Sequence, residues 1–197
     1  LLTRLRRKVK KLFETIAGFL AAIGIGPNTI TICSLIVSST AFLAMYYWHS
    51  IPLFLAMILL SGLLDALDGA LARLTGKTTR FGAFLDSTID RLSDTFYILS
   101  YLSLGVNPLL IGFLLSFSLL ISYTRSRAES LGIKMEGIGI IERAERVLWL
   151  AGTALLYYIG RSAVTISLAV LLLLSITTFI QRIKHVYDSL SHSADKS

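Results

Sequence analysis

The sequence predicts an all-α polytopic membrane protein with six transmembrane helices and an N-terminal amphipathic surface helix. Three observations carry the prediction. Hydrophobic residues make up 54% of the 197-residue chain and charged residues only 16%, against about 25% charged in an ordinary soluble domain. Six stretches approach the roughly 20 apolar residues that a helix needs to cross a bilayer core, and short polar or glycine-containing joins separate them. The positive charge is also sorted. Of the 19 Lys and Arg, 18 fall at the ends and joins of one side and Arg161 alone on the other. Cationic flanks are retained in the cytoplasm, so both termini are expected there, in a cell-membrane protein. The net charge of +7 is then mostly topology, and no nucleic-acid partner is expected. Disorder and a disulfide framework are excluded by the wealth of large apolar residues and by the single cysteine, Cys33.

Residues 1–26 are expected to form a cytoplasmic surface helix, with Leu5, Val9, Leu12, Phe13, Ile16 and Leu20 set against Arg4, Arg7, Lys8 and Lys11. No cleavable signal pattern precedes the first span. Residues 27–185 form the membrane unit, with spans at 29–48, 52–73, 84–104, 108–130, 143–159 and 163–183, and residues 186–197 a mobile polar tail. Cys33 is expected to be a small buried hydrophobe. His49, His185 and His192 are too scattered for a metal site.

The chemistry concentrates in five carboxylates between positions 65 and 94. A charged residue in a span costs about 2.5 to 3.5 kcal/mol on insertion scales, so each is a functional candidate. Asp65 and Asp68 are three apart near the end of the second span, and Asp86 and Asp90 four apart at the start of the third. Each pair therefore shares a helix face, and antiparallel neighbours can bring all four together. Divalent cations would relieve their repulsion, and an all-oxygen set favours a hard ion such as Mg²⁺, Mn²⁺ or Ca²⁺ over zinc. Two such ions could hold a pyrophosphate and stabilise phosphoryl transfer. Gly69 and Gly82 leave room for a ligand beside the backbone, Ala72 lies near the same face, and Arg73 offers a fork for phosphate. Two other readings are a set of helix-end carboxylates neutralised by Arg73, Arg80 and Arg91, and an ion or solute transport pathway. The latter fits less well, because the charges cluster at one end of the spans and no internal repeat is found.

The run Asp65-x2-Asp68-Gly69-x2-Ala72-Arg73-x8-Gly82-x3-Asp86-x3-Asp90 resembles the signature of the CDP-alcohol phosphotransferase family without a departure. Eight fixed positions over 26 residues make the match specific. The six spans, the surface helix and the Pro27-Asn28-x2-Thr31 start of the first span extend the resemblance over most of the chain. It implies an enzyme that joins a CDP-activated lipid donor to an alcohol and releases CMP, with two Mg²⁺ or Mn²⁺ ions as cofactor and a homodimer as the assembly. Asp65, Asp68, Asp86 and Asp90 would then hold metal, with Asp90 also the general base. Asp68, Gly69, Ala72, Arg73 and Gly82 would line the CDP-donor site. Asn28 and Thr31 would reach the nucleotide, or else only cap the helix. Asp94 lies outside the signature and is expected to support the site from behind or to pack a helix.

The acceptor is read from Arg125, Lys134, Arg143, Arg146 and Arg182, whose guanidinium and ammonium groups suit a phosphorylated polyol. The segments that carry them look most like the inositol-phosphate branch of the family, the phosphatidylinositol-phosphate and archaetidylinositol-phosphate synthases. Glycerol 3-phosphate is the runner-up acceptor. Gly132, Gly137 and Gly139 are expected to give the join between spans four and five its flexibility.

Overall fold

The computed structural model describes the backbone of residues 2–194 and the side chains of residues 11–191. The expectations for Arg4, Leu5, Arg7, Lys8, Val9, His192, Ser193 and Lys196 lie outside the described side chains. Among the described residues every regular element is helical: α1 (Leu2–Ala22), α2 (Pro27–Trp48), α3 (Ile51–Thr75), α4 (Arg80–Leu99), α5 (Pro108–Ser130), α6 (Arg143–Leu155) and α7 (Arg161–Ala194). Short 3-10 turns at Ser100–Leu102 and Leu156–Tyr158 extend α4 and α6.

Local chemistry sets most of the boundaries. Pro27 and Pro108 occupy first helical positions, where a missing N–H costs nothing. Thr79 Oγ1 accepts the Gly82 N–H at 2.9 Å at the start of α4, and Asn107 Oδ1 accepts the Leu109 N–H at 2.8 Å at the start of α5. At the head of α6 the Glu145 carboxylate takes the Glu142 N–H at 2.5 Å, half of a capping box. His49, left-handed at φ 49°, ends α2 with its N–H on the Met45 carbonyl at 3.2 Å.

Among the described residues four stretches are long and apolar enough to cross a membrane: α2, α3, α5 and Arg161–Ser191 of α7. The predicted third and fifth spans exist as α4 and α6, but α4 carries Asp86, Asp90, Arg91 and Asp94, and α6 has only 13 residues. The predicted sixth span, 163–183, lies within α7. Helix α7 continues through what the sequence reads as a tail, because Ser189 and Ser191 hydroxyls bond to carbonyls four residues back instead of drawing the chain into turns.

Helix α2 is the spine of the site-bearing half. Ile30, Thr31, Ser34, Ser38, Ala41 and Met45 are buried along one stripe, and its small members, Thr31, Ser34, Ser38 and Ala41, let helix backbones approach closely. The Ser61 hydroxyl of α3 bonds to the Ser34 carbonyl at 3.2 Å, and Ser93 of α4 to Ser38 at 2.9 Å. Cys33 falls off this stripe and is exposed, not buried as the sequence predicts. Helix α1 docks on α3, and its Phe13, Ala17 and Leu20 join one apolar cluster with Ile30, Leu67 and Leu71. The larger core joins α2–α7 around Phe54, Tyr97 and Tyr101, whose hydroxyl donates to the Leu150 carbonyl and ties α4 to α6.

Candidate active site

Three of the four signature carboxylates converge. Asp65 and Asp68 of α3 and Asp86 of α4 each offer an oxygen within 4.8 Å of the others. Asp68, 6% exposed, accepts a 2.6 Å hydrogen bond from Thr31 Oγ1, which aims it across from α2. Among the described residues no ion pair neutralises Asp68 or Asp86. A set of oxygen donors with this little protein counter-charge fits a hard divalent cation.

Asp90 stands one turn beyond Asp86 and has other company. Its Oδ1 lies 2.7 Å from Arg143 Nη1, and its Oδ2 accepts from Arg91 Nη1 at 3.3 Å. Arg143 Nη1 also donates to Asp65 Oδ2 at 3.4 Å, and its Nε to Asp94 Oδ1 at 3.2 Å. A guanidinium carried by α6 thus reaches into the carboxylate cluster, and the sequence assigns Arg143 to acceptor phosphate without showing that reach.

Beside the cluster, Pro27, Asn28, Thr31, Asp68, Gly69, Ala72, Gly82 and Asp86 line one pocket, closed by Lys77, Thr78, Thr79 and Ala83. Every residue the sequence assigns to the donor is there except Arg73, whose Nη1 would lie 3.3 Å from a Cβ at Gly69. A Cβ at Gly82 would meet Thr79 Oγ1 at 3.0 Å and Asn28 Oδ1 at 3.1 Å, so only glycine fits there without displacing a neighbour.

A basic pocket adjoins on the other side, lined by Arg125, Arg143, Arg146 and Arg182 with Ser122 and Arg91. Four of the five predicted acceptor residues therefore meet. Lys134 is not among them: it stays exposed in the α5–α6 join, where its carbonyl contacts His185 Nε2 at 3.2 Å. Arg91 is the residue the sequence misses, since it reads there only as a neutraliser of helix-end carboxylates. Arg182, 3% exposed, also serves the fold: it donates to the Ile121 carbonyl at 2.6 Å and to the Ile138 carbonyl at 3.0 Å. The Ile141 N–H donates to Thr178 Oγ1 at 3.2 Å, and at Gly139, φ 124°, a Cβ would lie 2.5 Å from Thr178 Cγ2. These contacts pin the end of the join to α7, so its glycines meet a conformational demand where the sequence suggests flexibility.

Two further cavities reach Asp90. One of about 830 Å³ opens between α4 and α5, with Thr88, Arg91, Ser122, Arg125 and Ser126 on its walls beside Leu92, Leu119 and Tyr123. The other, about 490 Å³, runs between α3 and α6 past Ile58, Leu59, Leu63, Val147 and Leu148 to Asp65 and Arg143.

The model of the CDP-alcohol phosphatidyltransferase family matches residues 25–182, a stretch that holds all of these carboxylates and arginines. The chain belongs to this family. Membership decides for a metal-dependent transferase over ion or solute transport. The phosphatidyltransferase is 42% identical over 186 residues to the archaetidylinositol phosphate synthase of Pyrococcus horikoshii, covering 93% of this chain and 95% of that one. It is 38% identical over 177 residues to the synthase of the same name from Aeropyrum pernix, covering 89% and 90%. Among solved structures it resembles Mycobacterium tuberculosis phosphatidylinositol phosphate synthase with CDP-DAG bound, with a TM-score of 0.81 at 29% identity, covering 90% of this chain and 94% of that one. The same synthase in complex with manganese and citrate superposes with a TM-score of 0.79, also at 29% identity, covering 89% and 88%.

Proposed function

We propose that the enzyme moves a phosphatidyl-type phosphoryl group, on diacylglycerol or archaeol, from a CDP-activated lipid to inositol phosphate and releases CMP. The observation that carries this reading is the position of Asp90. It borders both the α4–α5 cavity, whose walls carry Arg91, Arg125 and Glu129, and the apolar α3–α6 cavity, and the arginine against it belongs to the basic pocket. A soluble phosphorylated acceptor and a lipid-borne donor can therefore meet at one carboxylate.

In this mechanism the nucleotide lies in the pocket of Asn28, Thr31, Gly69, Ala72 and Gly82, and the lipid chains leave along the apolar wall of α3 and α6. Arg91, Arg125, Arg146 and Arg182 hold the acceptor phosphate, as guanidinium forks match phosphate oxygens. The acceptor hydroxyl attacks the β-phosphorus of the donor. As that oxygen–phosphorus bond forms, the bond from the β-phosphorus to the bridging oxygen breaks, and CMP departs with the oxygen. Asp90 takes the hydroxyl proton, and Arg143 and Arg91 steady the carboxylate for that task. Two Mg²⁺ or Mn²⁺ ions held by Asp65, Asp68 and Asp86 would neutralise charge on the pyrophosphate and the leaving group.

The same proposal places all six helices from α2 to α7 in the membrane as the unit 27–185, with α1 at its surface. It puts both termini and the site on the cytoplasmic side, and it takes the enzyme as a homodimer. The sorted charge supports the orientation, and the family resemblance supports the dimer.

The test is CMP release by the purified enzyme with CDP-diacylglycerol or CDP-archaeol and Mg²⁺, offering inositol phosphate, glycerol 3-phosphate and serine separately. Release with inositol phosphate alone is expected. Release with glycerol 3-phosphate alone would overturn the acceptor and leave the donor half standing. Gly82→Ala probes that half. Forcing a methyl group between Thr79 and Asn28 costs about 1–3 kcal/mol, so KM for the CDP-lipid is expected to rise about fivefold or more while KM for the acceptor stays near wild type.

A further inference from the structure

We propose that Asp94 is a positioning residue that divides the two α6 arginines between separate tasks, Arg143 to the reacting carboxylate and Arg146 to the acceptor phosphate. The inference rests on the proposed acceptor reading and extends it to a residue outside the signature. Arg143 and Arg146 are three apart on one helix face, which sets two like charges side by side. Arg146 is 4% exposed and Asp94 3% exposed, so water screens neither group. Asp94 gives one oxygen to each arginine: Oδ1 to Arg143 Nε at 3.2 Å and Oδ2 to Arg146 Nη2 at 3.4 Å.

That division has a geometric effect. A guanidinium left beside a single carboxylate tends to close on it with two parallel N–H bonds. Asp94 engages Arg143 through Nε and thereby sets the plane of its guanidinium, so that Nη1 alone comes between Asp90 Oδ1, at 2.7 Å, and Asp65 Oδ2, at 3.4 Å. Asp90 then meets a single N–H from Arg143 on Oδ1 and one from Arg91 on Oδ2, at 3.3 Å, and each oxygen keeps a lone pair for the incoming proton. Arg146 is tied to the second oxygen of Asp94 and lines the pocket shared with Ser122, Arg125 and Arg182. Without the shared anion the two arginines would repel each other, Arg143 would keep only its Nη1 contacts to Asp90 and Asp65, and Arg146 would lose its ion pair.

Asp94→Asn tests the idea, because the amide keeps the volume but can accept from only one arginine and opposes the other with its NH2 group. Losing a residue that orients ligand-contacting groups typically costs 10–100-fold. KM for inositol phosphate is expected to rise at least about tenfold, inhibition by inorganic phosphate to weaken in parallel, and KM for the CDP-lipid to stay within twofold. A role in packing alone predicts a lower Tm with both KM values and the phosphate inhibition unchanged, and that result would overturn the proposal. Should the Asn variant fail to fold, Asp94→Glu keeps the charge and displaces both arginines. A raised acceptor KM with an unchanged donor KM in that variant sustains the proposal, and wild-type values for both reject it. Failure of the acceptor reading itself would show in the wild-type enzyme, as absent CMP release with inositol phosphate.

Discussion

Asp90→Asn lowers CMP release by at least about 100-fold and leaves donor binding intact, if the carboxylate is the base that takes the acceptor proton. General-base catalysis by a positioned side chain contributes typically 10²–10⁴-fold, and an amide cannot supply it. The substitution conserves shape, and Arg143 keeps Asp65 and Asp94 as partners, so the local fold has no reason to change. The check is CMP release with saturating donor and acceptor, together with the rise in Tm that the CDP-lipid causes. Release within tenfold of wild type would remove Asp90 from the proton transfer.

Stripping divalent ions with EDTA brings the activity to background, and Mg²⁺ or Mn²⁺ restores it. Within that titration Asp68→Asn has the second-largest effect expected, at least about a tenfold rise in the metal concentration for half activity, since even partners that only orient metal ligands are worth 10–100-fold. Asp68 is suited to show this because Thr31 can still donate to the amide oxygen at the same place. The packing of α2 on α3 survives and only the charge is lost. A metal requirement equal to wild type in this variant would mean that Asp68 is not a ligand.

The meeting of Asp65, Asp68 and Asp86, and of most of the residues expected around the donor, was legible because local spacing encodes it. Offsets of three and four put each pair on one face, and a short antiparallel connection brings the faces together, with Pro27 marking where α2 begins. What Arg143 does was not legible. Its contacts to Asp94, Asp90 and Asp65 join α6 to α4 and α3 across 49 to 78 residues of chain, and no local pattern encodes a contact of that kind. Lys134 shows the same limit from the other side: it shares the charge and the region of the pocket arginines, yet the pinning of the α5–α6 join to Thr178 and Arg182 leaves it outside. Asp90 also looks, by spacing, equivalent to Asp86, and only the arrival of α6 distinguishes the two. The serine-rich end of α7 misleads because hydroxyls that bond within a helix and hydroxyls that favour turns belong to the same residue type.

The length of α7 gives the enzyme a depth gauge. At 1.5 Å per residue its 34 residues extend about 51 Å, well beyond the roughly 30 Å of a hydrocarbon core. Arg161 and Arg182 are 21 positions apart on it, about 32 Å along the axis, so two cations are spaced by one bilayer core. When Arg161 rests at one interface, Arg182 and the basic pocket it lines come to rest at the other, level with the phosphates of the surrounding lipids. In the proposed membrane placement a single helix would thus hold the chemistry at the one depth where a substrate anchored by its tails and a substrate dissolved in water can both arrive.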